Sequence, residues 1–363
     1  MQGTGRGPLA GLRIVEMDAI GPVPLLGLLL AGNGAEVIRI GRAASDWTET
    51  TTAADILHRG RDTVVLDLKD DTQRLGALDL IAGADALIEG FRPGTMERLG
   101  LGPEVALGRN PALVYGRMTG WGQVGPRAAE AGHDINYLSM TGLLSMVGPA
   151  DRPVAPLNLV ADYGGGAMML AFGLMAALLQ AKTTGKGQVV DAAMVDGANF
   201  LASLFHGFRQ TDLWSPGREA NLLDGGRPFY RCYPCADGRF VAVGAIEPKF
   251  YGAMMRGLGL DPADWPQDDA SSWDGAVQAI GARFATAPRD HWTRIFAGTD
   301  ACVTPVLDLA EAPADPHMQA RRAFQAAGAR TAPSVPPSDP QARADLPPPR
   351  LVSLQDALAR WRR

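Results

Sequence analysis

The feature that most constrains this chain is an alternation. In the first third of the sequence, short apolar runs recur between segments of helix length: Leu12 to Met17 (LRIVEM), Glu36 to Ile40 (EVIRI), Thr63 to Leu68 (TVVLDL), Ala84 to Ile88 (ADALI) and Ala112 to Gly116 (ALVYG). A Pro-opened apolar stretch from Pro22 to Ala31 follows the first run, and Gly32, Asn33 and Gly34 stop it. Strands separated by helix-length patterns imply right-handed crossovers, hence a mainly parallel sheet covered on both faces. The fold class is α/β. After the first strand the chain reads DAIGPVPLLG, which lacks the GxGxxG spacing that lets a dinucleotide pyrophosphate approach the backbone. An NAD enzyme is not indicated.

Farther along, ADYGGGAMMLAFGLMAALLQAK from Ala161 reads as a buried helix with a glycine-rich first turn, Gly187 to Met194 as a strand and Asp196 to Phe208 as a helix. A polar, Gly-rich passage around Leu223 to Pro228 marks a boundary. Beyond it, Gly238 to Ala245 is a strand and Lys249 to Leu258 a helix of a smaller module. The expected organisation is a large domain over residues 1–190, a linker helix over 191–225, a small α/β domain over 226–310, and a return to the large domain over 311–363. Pro333, Pro336, Pro337, Pro340, Pro347, Pro348 and Pro349 predict an extended strap, ending in a short helix at Ser353 to Trp361.

The 363 residues, 46% apolar and 20% charged, suffice for two packed cores. No apolar run reaches the roughly 18 residues of a membrane span, and the start MQGTGRGPLAGLR lacks a secretory stretch, so the expectation is a cytoplasmic protein with no membrane partner. A net charge of -5 argues against a nucleic-acid partner. Cys232, Cys235 and Cys302 are too few for a disulfide framework, and the CxxC pair lacks further ligands at metal spacing. No metal is expected.

Three places can carry acid–base chemistry. His133, in GHDINY, follows a Gly-rich loop, and Asp134 opens the next helix, where exposed N–H groups suit an oxyanion; equally, His133 can be a satisfied polar residue and Asp134 a cap. Asp162 before a helical run fits an N-cap, yet Gly164, Gly165 and Gly166 each cost about 1 kcal/mol in a helix and call for a bend or a close ligand. A buried carboxylate there can act as a base. Glu247, in AIEPKFY, is either a third member of the set or a solvated residue before a Pro-started helix.

The stretches ADALIEGFRPGTMERLGLGP, YGRMTGWGQVGP, AGHDINY, PLNLVADYGGGAMM, GKGQVVDAAMVDG, DGRFVAVGAIEPKFY and DACVTPVL cover the chain nearly end to end. They resemble the α-methylacyl-CoA racemases of the class III CoA-transferase superfamily (CaiB/BaiF type). The resemblance implies a Rossmann-like large domain and a small domain in an interlocked homodimer whose sites are shared between subunits. It implies that His133 and Glu247 act on one side of an acyl-CoA substrate and Asp162 on the other. Glu247 would come from the partner subunit, and Asp134 or its N–H would hold the thioester oxygen. The expected reaction interconverts (2R)- and (2S)-2-methylacyl-CoA by two-base proton transfer through an enolate, an isomerase step in lipid and fatty acid metabolism. No cofactor is expected, because CoA is part of the substrate.

Local arginines must meet the CoA phosphates in an acidic protein. Arg39 ends a strand, Arg92 lies in GFRPG, and Arg61 sits in HRGRD; each can instead be a solvated surface residue. The rival readings are a CoA-transferase of the same superfamily, with Asp162 as nucleophile, and a non-catalytic acyl-CoA-binding protein. Met140, Met146, Met168 and Met169 are candidates for the acyl-chain surface, or plain core.

Overall fold

The computed structural model describes residues 7–42, 56–327, 330–336 and 345–361. The chain divides into two units. The first comprises residues 1–141, 156–202 and 313–363, and the second residues 142–155 and 203–312.

The first unit is built on a seven-stranded sheet in which every pairing is parallel. Its strands are β1 (Arg13–Met17), β2 (Glu36–Gly41), β3 (Asp62–Val65), β4 (Ala86–Glu89), β5 (Val114–Thr119), β6 (Gln188–Ala193) and the C-terminal strand Arg350–Leu351. From one edge the order is the C-terminal strand, β3, β2, β1, β4, β5, β6. The near-continuous apolar runs follow from burial on both faces: Ile14, Val15, Ile38, Ala86, Leu87 and Val114 have no exposed surface. The strand expected over Thr63 to Leu68 stops at Val65, because the Asp67 carboxylate accepts the Lys69 N–H and the Asp67 carbonyl the Asp70 N–H, which turns the chain. Asp70 then caps helix α2 (Asp71–Ala82) by accepting the Gln73 N–H at 2.9 Å.

The chain leaves β1 toward β2 and β3 but leaves β4 toward β5 and β6. The crevice outside the carboxyl ends of β1 and β4 is thus a topological switch point, where open α/β sheets bind ligands. Helix α1 (Pro22–Gly32) starts there, with Pro22 in its first turn and Val23 and Leu26 fully buried.

A continuous helical segment runs from Leu159 to Thr184, long and apolar enough by composition to cross a membrane. One face of it packs within the first unit, with Leu170 and Leu174 fully buried. It begins at Leu159 rather than at Asp162, and its first ten residues, Leu159–Met168, are a π-helix. The three glycines were expected to face a bend or a ligand, but they admit a neighbouring helix, Met194–Leu201. A Cβ on Gly165 would lie 2.6 Å from Ala198 N, and one on Gly197 1.9 Å from Gly165 O. Two backbones touch here, and any side chain would separate them.

The second unit holds the antiparallel sheet β7 (Tyr230–Pro234), β8 (Phe240–Gly244) and β9 (Val303–Pro305). Helices Pro248–Gly257, Trp273–Phe284 and Arg289–Phe296 pack with it around Val241, Met254, Ile280 and Phe284. The segment expected as a linker over 191–225 is split: Met194–Leu201 belongs to the first unit and Ser203–Phe208 to the second, which also takes in residues 142–155.

The proline-rich region is less irregular than expected. Phe324–Ala327 and Arg330–Pro333 form an antiparallel pair, with Pro333 at the strand end, where its missing N–H breaks no ladder. Pro337 and Pro340 lie outside the described residues. The final helix spans Leu354–Trp361 and buries Ala357 and Trp361.

Candidate active site

A cavity of about 270 Å³ opens at the switch point of the first unit. Its wall is formed by the turn after β1 (Ile20, Gly21), the turn after β4 (Gly90–Pro93), the end of β5 and the following residues (Met118–Trp121), and by His133, Tyr137 and Asp162. His133 and Asp162, 29 positions apart in sequence, therefore line one cavity.

His133 is exposed and immediately precedes helix α3 (Asp134–Thr141). Its backbone closes the turn: the His133 N–H donates to Asn136 Oδ1 at 3.1 Å, and its carbonyl accepts the Asn136 N–H at 2.7 Å. The backbone is thus held while the imidazole contributes to the cavity wall. Asp134, the first residue of α3, does not cap its own helix. Its Oδ2 accepts the N–H groups of Ala161 and Asp162, each at 2.8 Å, so it satisfies two of the orphan donors at the start of the π-helix. Its Oδ1 is buried without a hydrogen-bond partner. Burial raises the proton affinity of Asp134, against the pull of those two N–H donors.

This arrangement decides what Asp162 does. The cap reading fails: Asn158 occupies the N-cap position and makes no side-chain cap bond, and Asp162 lies inside the first turn. Because Asp134 caps the helix from another element, the Asp162 carboxylate is not consumed as a cap and lines the cavity instead. Its hydrogen-bond partner is the Asn158 amide, at a long 3.4 Å. Burial and then the neighbouring Asp134 charge push its pKa up, while Asn158 and His133 oppose the shift. A carboxylate so placed holds a proton more readily than one in water.

Tyr137 meets Trp121 edge-on, with ring centroids 4.8 Å apart, and donates its hydroxyl to the Gly132 carbonyl at 2.5 Å. A Cβ on Gly120 would fall 2.1 Å from the Tyr137 ring, so only glycine fits there. Burial, followed by the Asp162 charge, pushes the phenol up to about 12 and keeps it neutral.

The three arginines part company. Arg92 is exposed and lines the cavity. Arg39 is buried, and its donors go to Glu16 (3.3 Å), Thr63 (3.1 Å) and Asp18 (2.6 Å). The Arg61 side chain is wholly enclosed, bonded to the Glu16 carboxylate and the Leu57 carbonyl. Neither Arg39 nor Arg61 is part of the cavity wall. The alternative to phosphate contact was a solvated surface, and these two side chains are buried ion-pair partners instead.

Glu247 belongs to the second unit. It occupies the N-cap position of helix Pro248–Gly257 with an exposed side chain that makes no cap hydrogen bond. Of the four methionines, Met146 lines a cavity of about 540 Å³ within the second unit, and Met140 is exposed on α3 in the first. Cys232 is exposed and Cys235 buried, and among the described residues no group of three His, Cys, Asp or Glu side chains is arranged to hold a metal.

Sequence reasoning passed over Glu89 and Arg117, a buried ion pair at 2.9 Å beneath the cavity. The signal was present, since each is the one charged residue of its buried strand.

The sequence profile of CoA-transferase family III matches residues 9–351. The α-methylacyl-CoA racemases of Mus musculus and Homo sapiens are each 43% identical to the chain over 318 residues, 87% of this chain and 82% of theirs. A crystal structure of a CaiB/BaiF family protein from Brucella suis superposes with a TM-score of 0.81 at 24% identity, over 97% of this chain and 98% of that one, a likeness of fold.

Proposed function

The chain belongs to CoA-transferase family III, and from that premise we propose that it is an α-methylacyl-CoA racemase, interconverting the (2R) and (2S) forms of 2-methylacyl-CoA thioesters. The observation that carries this reading is the presence of an imidazole, His133, and a carboxylate of raised proton affinity, Asp162, in the wall of one cavity. Inversion at a carbon next to a thioester needs a proton removed from one face and another returned to the opposite face. Two groups are required.

In one direction the Asp162 carboxylate takes the C2 proton, the C–H electron pair forms a C1–C2 π bond, and the carbonyl π pair moves onto the thioester oxygen to give an enolate. The His133 imidazolium then donates its proton to the other face of C2, and the enolate collapses to the thioester. Asp162 ends protonated and His133 neutral, which is the starting state for the reverse reaction. The Asp134 N–H, at the start of α3, is assigned to the enolate oxygen; such a donor lowers a barrier by about 3 kcal/mol. The Asp134 carboxylate contributes indirectly, by capping the helix that carries Asp162.

Arg92 is assigned to the CoA phosphates, with Arg39 and Arg61 holding the strands behind it. We assign Glu247 to a partner subunit's site, beside that subunit's His133, where a carboxylate favours the charged imidazole. An interlocked homodimer is supported by apolar side chains on the first unit's surface, Phe172 at 77% and Leu179 at 69% exposure. The chemistry needs no metal or redox cofactor, since the thioester itself stores the charge.

The transferase alternative needs Asp162 as nucleophile and gives His133 no role. Incubation with (2R)-2-methylacyl-CoA in D2O, without any acceptor acid, separates the two. Racemase activity yields the (2S) thioester carrying deuterium at C2; a transferase leaves C2 unlabelled throughout and moves CoA only when a free carboxylic acid is supplied.

A further inference from the structure

Below the cavity, three charged side chains outside the proposed reaction form a chain. Glu89 ends β4 with no exposed surface. Its Oε2 accepts the Phe91 N–H at 2.7 Å, and its Oε1 accepts from Arg117 Nε at 2.9 Å. Arg117 stands opposite Glu89 on β5, in register. Its two terminal nitrogens reach on to Glu97, at 2.8 and 3.3 Å. Glu97 lies in the short helix Thr95–Arg98, which starts immediately after Gly94.

The arrangement brackets one stretch of backbone. Glu89 immediately precedes Gly90–Phe91–Arg92–Pro93 and Glu97 follows it; Gly90 to Pro93 are cavity wall. Both carboxylates are tied to a single guanidinium, so the turn is fastened at its entrance and its exit by the same residue. Arg92 sits at its middle and has the exposed cation of the turn. A buried ion pair is costly to desolvate and adds little stability over an apolar packing of equal volume, so its presence here favours a geometric task. The price of a misplaced cation is high when its partner is a phosphate, because charge-assisted bonds depend steeply on direction.

We propose that Glu89, Arg117 and Glu97 form a positioning clamp that sets the affinity of the cavity for the CoA moiety by fixing the turn that presents Arg92. The proposal rests on the assignment of Arg92 to CoA phosphate made above. None of the three touches substrate, so they act on binding through Arg92 and leave the proton transfers alone.

Calorimetric titration of the full-length protein with free CoA tests this, alongside KM and kcat for racemisation. Glu89→Gln keeps a carbonyl oxygen for the Phe91 N–H but loses the charge that pairs with Arg117, and it weakens CoA about tenfold. KM rises in step, while kcat stays within about twofold. Glu97→Gln, at the half-exposed end of the clamp, weakens CoA about threefold and covers the case in which the Glu89 variant does not fold. Each loss disappears in the Arg92→Ala background, because residues acting through one partner are non-additive. Losses that persist there, or a fall in kcat with unchanged CoA affinity, overturn the clamp. If the parent protein binds CoA and racemises while both single variants bind CoA equally well, the clamp fails and the racemase reading stands. If the parent protein binds no CoA, the assignment of Arg92 fails first and the clamp with it.

Discussion

Two carboxylates of the first unit show opposite uses of burial. Glu16, on β1, has no exposed surface and lies between Arg39 and Arg61, so two guanidinium groups compensate its charge. Asp162 is half-buried, has one amide donor at 3.4 Å, and faces another carboxylate, Asp134, within electrostatic range. The first is a structural anion that joins β1 to β2 and to the segment before β3. The second is under-compensated, and that makes it a base. What separates the two is the number of donors each receives, and substitution can exchange their properties.

The largest effect expected is on catalysis at the under-compensated pair. His133→Ala and Asp162→Ala each lower racemisation in both directions by about 10³-fold or more, measured by chiral analysis of the product, since every turnover uses both groups. If either keeps near-normal turnover, the distinction between the two carboxylates has no catalytic content. Next comes stability at the compensated site. Glu16→Ala leaves the buried Arg61 without its carboxylate and Arg39 with Asp18 alone, and costs about 3–5 kcal/mol in denaturant unfolding. A loss below 1 kcal/mol would mean the ion pairs are not what holds β1 to its neighbours.

A third, smaller effect concerns pH. Asp134→Asn removes the negative charge that helps raise Asp162, so the acid limb of the kcat/KM profile moves to lower pH. An unmoved limb would remove the coupling between the two carboxylates. The smallest effect is thermodynamic. A carboxylate whose folded pKa is raised binds its proton more tightly in the folded state, so its contribution favours folding at low pH and is lost as pH rises through the folded value. Asp162→Asn therefore raises the melting temperature by a few degrees at alkaline pH and not in acid, after comparison with the parent at each pH. A variant less stable at every pH would show that Asp162 is compensated after all.

These differences bear on what was legible in the residues. The parallel sheet was, because apolar runs of five or six residues separated by helix-length segments admit few other arrangements. His133 and Asp162 were recognisable as candidates, but their presence in one cavity depends on a topology that places β1, β4 and β5 side by side. The role of Asp134 was hidden for a specific reason: it caps a helix whose N–H groups lie 27 and 28 residues later, whereas local patterns assign a cap to the helix it precedes. The glycines from Gly164 to Gly166 called for a bend or a close ligand, and composition could not say that the helix carrying Gly197 was what approached. Arg39 and Arg61 have the residue type and strand-end position of phosphate ligands, but Glu16, distant in sequence, takes up both side chains.

The central claim is that His133 and Asp162 serve opposite faces of C2, and α-proton exchange in the two single-base variants tests it directly. Each enantiomer of a 2-methylacyl-CoA is incubated in D2O with Asp162→Asn and, separately, with His133→Ala, and deuterium at C2 is followed by mass spectrometry. The account predicts complementary behaviour: each variant exchanges only the enantiomer whose proton faces its remaining base, and neither inverts it. Exchange of both enantiomers by one variant would place both proton transfers on a single group and contradict the account.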